Sequence, residues 1–362
     1  EMCIRDSEGT EPGEDAVQAV QGYQVGGVIL FGRNVESAEQ LAALTNGLKE
    51  LNGDYTPLFL CVDQEGGRVD RMPPEVSRTP SAWSVGQTLD TEGVGVSYGE
   101  LLAAECAAFG FNMDFAPSLD IWSNPDNTVI GDRAFGNDWE WTAFFGMSAV
   151  EGMEKQGTVI PVVKHFPGHG DTAVDSHTAL PVVDKTLEDL WQSELVPFDM
   201  VLSGQFWGEP VMEPTPAVMV AHILLSQIDP DNPASLSPEV VTGLLREEMG
   251  YEGVVCTDDL TMGAISNTYG MGEAAVLAVE AGCDLLLVCH GADNLAEAHA
   301  ALVEAVDSGC IPEERLDESV YRVLSLKTVY GLSNAPVEAP DIEALNDRIA
   351  ALERSIEADT SQ

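Results

Sequence analysis

Residues 164–177 read KHFPGHGDTAVDSH, which places three histidines, two aspartates and a lysine within 14 positions, among Pro167, Gly168 and Gly170. Glycines and a proline at that density make a shaped loop rather than a helix. A histidine can take and return a proton near neutral pH, and does so best when a carboxylate fixes its tautomer and stabilises its cation. Asp175-Ser176-His177 supplies such a pair, close enough for one turn to join. The polar residues elsewhere are not scattered. Asp63-Gln64-Glu65-Gly66-Gly67-Arg68 follows one apolar run, Asp120 closes another, Lys164-His165 a third, His222 a fourth, Asp258-Asp259 a fifth and His290 a sixth.

The elements that must carry these groups alternate in type. Short apolar, β-branched runs occupy 26–32, 57–63, 111–121, 159–166, 217–223, 253–259 and 283–290. Runs of this kind suit parallel strands covered on both faces. Amphipathic stretches at 36–51, 92–109, 139–156, 238–249, 271–281 and 293–308 lie between them, so the fold class is α/β. Polar groups gathered at strand ends favour a (β/α)8 TIM-type barrel, whose active sites form at the C-terminal ends of its strands. Only seven strands are legible, because the opening EMCIRDS carries no strand pattern; the expectation is a barrel whose first strand is truncated or irregular. A doubly wound sheet is the rival, and GGVILFG, with its glycines on either side of the run, is a poor match for a phosphate-binding turn. Residues 203–216 read as an irregular Gly/Pro-rich loop. One catalytic domain is expected over 1–335, with an acidic C-terminal tail or helix over 336–362.

Sixteen Lys+Arg stand against 61 Asp+Glu in 362 residues, a formal net charge of −45. Such a surface repels nucleic acid and anionic membranes, and no apolar run is long enough to span a bilayer. An acidic coat also suits high salt, which screens its self-repulsion. With cations this scarce, the gathering of Arg68, Arg71, Arg133 and Lys164 in segments that follow strands is informative. Cys61, Cys256 and Cys289 lie inside apolar runs and read as buried free thiols, which favours a reducing, cytoplasmic setting. The chain begins with Glu1, so a native N-terminus that directs secretion stays open.

The 164–177 string, together with ILFGRN (29–34), VDQEGGRVDRM (62–72), FNMDFAPSLDI (111–121), NPDNTVIGDRAFG (124–136), VMVAHI (218–223) and GVVCTDDLTMGAI (253–265), resembles glycoside hydrolase family 3, in its β-N-acetylglucosaminidase branch. The resemblance covers roughly residues 22–332. It implies a retaining exo-β-N-acetylglucosaminidase in which Asp258 is the nucleophile and His177, held by Asp175, is the acid/base. It implies sugar contacts from Asp63, Arg133, Lys164 and His165, with Arg71 as a further candidate; Arg68 and Arg71 are also open to structural ion pairing. Asp114 and Asp120 would orient the cations. His169 and His222 read equally as scaffold or ligand contacts, and His290 and His299 as structural.

No metal or cofactor is implied, and the partner is an N-acetylglucosamine-containing oligosaccharide or muropeptide bound by a monomer. That places the protein in cell-wall metabolism, with peptidoglycan recycling and chitin breakdown both open. A neutral base also suits phosphate as the acceptor, so a phosphorylase is the alternative within the class. Outside it stand a metal-dependent barrel hydrolase, for which H-x3-H-x-D at 165–171 is compatible but Lys164 unfavourable, and a non-catalytic sugar-binding barrel.

Overall fold

The computed structural model describes residues 2–91, 93–172, 176 and 179–360. Eight parallel strands close a barrel: β1 Cys3–Asp6, β2 Gly27–Ile29, β3 Phe59–Val62, β4 Met113–Asp114, β5 Ile160–Phe166, β6 Ala217–Val220, β7 Val254–Asp259 and β8 Leu285–Val288. The apolar runs are continuous because alternate side chains enter two different cores. In β3, Phe59 and Cys61 point inward to meet Ile4, Met113, Ile160 and Cys256, whereas Leu60 and Val62 pack against the surrounding helices. At the floor, Lys327 sets its ammonium 4.6 Å above the Phe59 ring and donates to the Gly26 carbonyl at 2.9 Å.

The helices follow the amphipathic stretches closely: α1 Ala38–Asn52, α2 Val94–Ala108, α3 Trp139–Gln156, α4 Leu195–Ser203, α5 Glu239–Glu248 (wound in wide, π-type turns), α6 Met271–Ala281, α7 Ala292–Asp307, α8 Glu313–Val329 and α9 Ile342–Thr360. Their starts are set locally: Ser37 caps α1 by accepting from the Gln40 N–H, and Asp138 caps α3 by accepting from the Trp141 N–H. The acidic C-terminal segment forms α9, which packs on α2, with Arg348 donating to the Glu100 carbonyl at 3.0 Å. No described helix is long and apolar enough to cross a membrane.

Two expectations are corrected. The first strand is present: Cys3–Asp6 pairs with β8 and β2 and closes the barrel. Only two of its four residues are apolar, so its pattern is invisible, yet all four are buried; Asp6 pairs with both Arg5 and Arg33. Residues 203–216 are not wholly irregular either, since Gln205–Phe206 and Glu209–Pro210 form a small antiparallel hairpin. Its turn places Trp207 at φ 52° beside Gly208 at φ 81°.

Candidate active site

The loop after β3 turns sharply because Gly66 and Gly67 adopt φ of 70° and 54°, and a Cβ at Gly66 would come within 2.4 Å of the Pro80 carbonyl oxygen. That turn sends Asp63 and Glu65 to the barrel mouth. Glu65 is buried and takes both Nε (2.7 Å) and Nη2 (2.8 Å) of Arg133 while lying 2.6 Å from Lys164 Nζ. Lys164 also donates to Asp63 at 2.5 Å. Burial alone would lift the Glu65 carboxyl, but the two cations overcome it and hold the group well below the usual carboxylate range. Burial likewise works against Lys164, and Asp63 and Glu65 more than offset it, so the ammonium stays charged. Glu65 is the organiser that sequence reasoning missed. Its position was visible in the QEGGR string, but its partners, 68 and 99 residues away in the chain, were not.

His165 places Nδ1 2.6 Å from Asp120 Oδ2, and Arg133 Nη2 lies 3.2 Å from its Nε2. An arginine can only donate, so Nε2 faces a donor and Nδ1 faces the Asp120 carboxylate. Burial works to raise the Asp120 carboxyl, but its contacts with His165 and the His169 backbone hold it well below its ordinary value. Asp120 therefore orients a histidine rather than a cation. Asp114 departs further from expectation: its Oδ1 accepts from the Gln64 N–H at 2.9 Å, and burial pushes its carboxyl well up.

At the end of β7 two adjacent aspartates take opposite roles. Asp259 is engaged by the Thr261 N–H (3.0 Å), the Thr261 hydroxyl (2.5 Å) and the Cys289 N–H (3.0 Å), which makes it scaffold. Asp258 receives only the Asp259 N–H, at 2.8 Å, among the hydrogen bonds of the described residues, and both aspartates border the cavity. Burial would raise its carboxyl, but His222, His165, that N–H and Lys164 outweigh it and lower it, so Asp258 is an anion at neutral pH. Buried His222 donates from Nε2 to the Asp259 carbonyl at 3.0 Å and meets Ser235 Oγ at 2.7 Å through Nδ1, which orients the turn that carries both aspartates.

These groups line one cavity of about 520 Å3 at the C-terminal ends of the strands, shared by Asp63, Arg71, Arg133, Lys164, His165 and Asp258. Asp175 and His177 lie outside the described residues. Ser176, between them in sequence, lines the same cavity; its hydroxyl is 3.1 Å from His169 Nε2, and its carbonyl accepts the Ala264 N–H at 3.0 Å. The two uncertain arginines separate. Arg68 is spent on the Thr128, Val129 and Ile130 carbonyls (2.6–2.7 Å) and on Asp132 at 3.0 Å. Arg71 lines the cavity, and its buried Nε has no hydrogen-bond partner among the described residues. His290, read from sequence as structural, stands at the rim, with its ring 5.6 Å from that of Phe31. Arg33 lies 4.6 Å over the same Phe31 ring. The ILFGRN string and the polar end of the eighth run were the signals that could have found this rim.

Charged, sugar-sized and set in the mouth of a closed parallel barrel, this site defines the class of (β/α)8 barrels that act on polar small molecules. Residues 5–326 match the glycosyl hydrolase family 3 N terminal domain, and the chain belongs to that family. It is 33% identical over 341 residues to a beta-hexosaminidase A of Pseudoalteromonas piscicida, covering 88% of this chain and 56% of that protein. It is also 33% identical over 330 residues to a beta-hexosaminidase of Nitrosomonas eutropha, covering 89% and 91%. Among solved structures, it is similar to a family 3 beta-N-acetylglucosaminidase from Paenibacillus sp. strain FPU-7, with a TM-score of 0.90 and 40% identity over 97% of this chain and 66% of that one. It also resembles a beta-N-acetylhexosaminidase from Beutenbergia cavernae, with a TM-score of 0.80 and 30% identity over 90% and 96%. The chain thus spans a little over half of one relative and nearly all of others.

Proposed function

We propose that the chain is a retaining exo-β-N-acetylglucosaminidase that removes terminal β-linked N-acetylglucosamine. The observation that carries this reading is the Asp258 carboxylate, kept anionic beside His222, His165 and Lys164 and facing a sugar-sized cavity. In the first step a carboxylate oxygen of Asp258 attacks the anomeric carbon as the glycosidic C–O bond breaks, and His177, oriented by Asp175, protonates the leaving oxygen. In the second step His177 takes a proton from water, the water oxygen attacks the anomeric carbon, and the ester to Asp258 breaks. Asp63, Arg71, Arg133, Lys164 and His165 bind sugar hydroxyls through charge-assisted hydrogen bonds. The relatives described as beta-hexosaminidases and beta-N-acetylglucosaminidases support the substrate class. The seven cysteines, all free and six of them buried, support a reducing compartment.

Incubation with a 2-deoxy-2-fluoro or 5-fluoro β-N-acetylglucosaminide, followed by peptide mass spectrometry, tests the reading. A glycosyl adduct on Asp258 is expected, and an adduct on any other carboxylate would overturn the assignment. Running turnover in phosphate distinguishes the acceptor, because sugar-1-phosphate as the main product would replace hydrolysis by phosphorolysis.

A further inference from the structure

Behind the sugar-binding loop, and out of contact with the cavity, lies a buried carboxylic acid that the mechanism does not use. Glu105 sits on α2 with no exposed surface. Its Oε1 meets the Thr79 hydroxyl at 2.6 Å, and its Oε2 accepts from Gln64 Nε2 at 2.9 Å. The other end of the Gln64 amide is also engaged: Oε1 accepts the Arg71 backbone N–H at 2.8 Å. Gln64 is thus held in one orientation, because flipping its amide would set an oxygen against Glu105 and an NH2 against the Arg71 N–H. Thr79 closes the far side of the loop, its carbonyl accepting the Gly67 N–H at 2.8 Å. A single carboxyl group therefore ties both ends of the 64–79 segment, which presents Glu65 and Arg71 to the cavity.

We propose that Glu105 is a positioning residue for substrate binding, acting through Gln64 to set the backbone at Arg71. The proposal rests on the sugar-binding reading of Arg71 given above. The surroundings favour the neutral form. Asp70, Tyr98 and Cys106 face the group from the loop and from its own helix, and Arg348 approaches from α9 as the single cation among these groups. Burial is the main cause that pushes Glu105 from 4.5 up to about 8; the Thr79 and Gln64 hydrogen bonds and Arg348 pull it down, and Asp70 adds to the rise. In the neutral form the acid O–H donates to Thr79, whose hydroxyl can accept as well as donate, while the carbonyl oxygen keeps the Gln64 N–H. Ionisation places an extra buried negative charge near Asp70, and the loop must open to solvate it.

The test compares Glu105→Gln and Glu105→Ala on an aryl β-N-acetylglucosaminide across pH. The glutamine reproduces the neutral acid, its NH2 facing Thr79 and its oxygen accepting from Gln64. Wild-type KM is expected to climb through about pH 8, whereas the Gln variant, with neutral-pH KM within about twofold of wild type, stays flat. The Ala variant should raise KM about tenfold with a smaller loss of kcat, because one buried polar tether is lost and the chemistry is untouched. Amide exchange at Arg71 should speed up in Ala and stay slow in Gln. A Gln variant whose KM rises with the wild-type midpoint overturns the proposal even if the Ala variant does not fold. Absence of glycoside turnover in wild type would instead strike the functional reading, and the Arg71 exchange rates would then decide the positioning role alone.

Discussion

Two ends of this barrel each bury a carboxylate among cations, in a chain that has only 16 cations to spend. At the N-terminal ends of the strands, Asp284 is fully buried among Arg246 (2.6 Å), Arg322 (3.2 Å), Arg315 (3.5 Å) and the Ser319 hydroxyl (2.7 Å). Two of the arginines spend further donors locally: Arg246 reaches the Tyr251 and Gly253 carbonyls, and Arg315 the Val279 and Cys283 carbonyls and the Ser319 hydroxyl. At the C-terminal ends, Glu65 is clamped by Arg133 and Lys164 in nearly the same chemistry, but those cations and Arg71 border a cavity. The difference teaches that a buried ion pair says nothing about function until its leftover donors are followed. Where they end on neighbouring backbone and side chains the cluster is a rivet; where they border a cavity it is a candidate binding site.

The comparison can be sharpened by substitution. The largest expected effect is at the reacting carbon: Asp258→Ala should lower kcat on the order of 10^4-fold or more while the protein stays folded, and azide should partly restore turnover of an activated aryl glycoside. Near-normal kcat in that variant would remove Asp258 from the mechanism. Next, Glu65→Gln and Asp284→Asn should each cost about 3–5 kcal/mol of stability, since both strand buried cations. Only the Glu65 change should also collapse kcat/KM, measured well below the melting temperature of either variant. Equal losses of activity would erase the distinction between the two ends.

A smaller split is expected within one loop. Arg71→Ala should raise KM about tenfold with little change in Tm, and Arg68→Ala should lower Tm by a few degrees with KM nearly unchanged. The smallest effect on activity is at Glu105, where the readout is instead the slope of stability against pH. Because Glu105 holds its proton in the folded state up to about pH 8 but releases it near 4.5 when unfolded, the stability it contributes is complete below pH 4.5, declines between 4.5 and 8, and is gone above. Denaturant titrations over that range should show a shallower decline in Glu105→Gln than in wild type, the difference approaching tenfold in the unfolding constant per pH unit.

Much of the architecture is legible in the amino-acid sequence. Six helices appear within about two residues of the amphipathic stretches (for example Trp139–Gln156 against 139–156), and seven strands lie within the apolar runs. The failures have specific causes. Cys3–Asp6 is half charged, and it is a strand because β8 and β2 flank it. The 111–121 run contains only a two-residue strand, Met113–Asp114, because the chain then bends to carry Ser118 and Asp120 toward Lys164 and His165.

Periodicity, glycine placement and capping residues act over a few positions, so the order of strands and helices and the end of the barrel that collects the polar side chains follow from the amino-acid sequence alone. Which of those carboxylates are tied down is settled by partners far away in the chain: Glu65 by Arg133, Asp63 by Lys164, Asp120 by His165, and Asp259 rather than Asp258 by Cys289. A carboxylate's role depends on how much of its hydrogen-bonding capacity neighbours consume. That quantity exists only once the barrel has closed and brought segments 30–100 residues apart to within about 3 Å of one another.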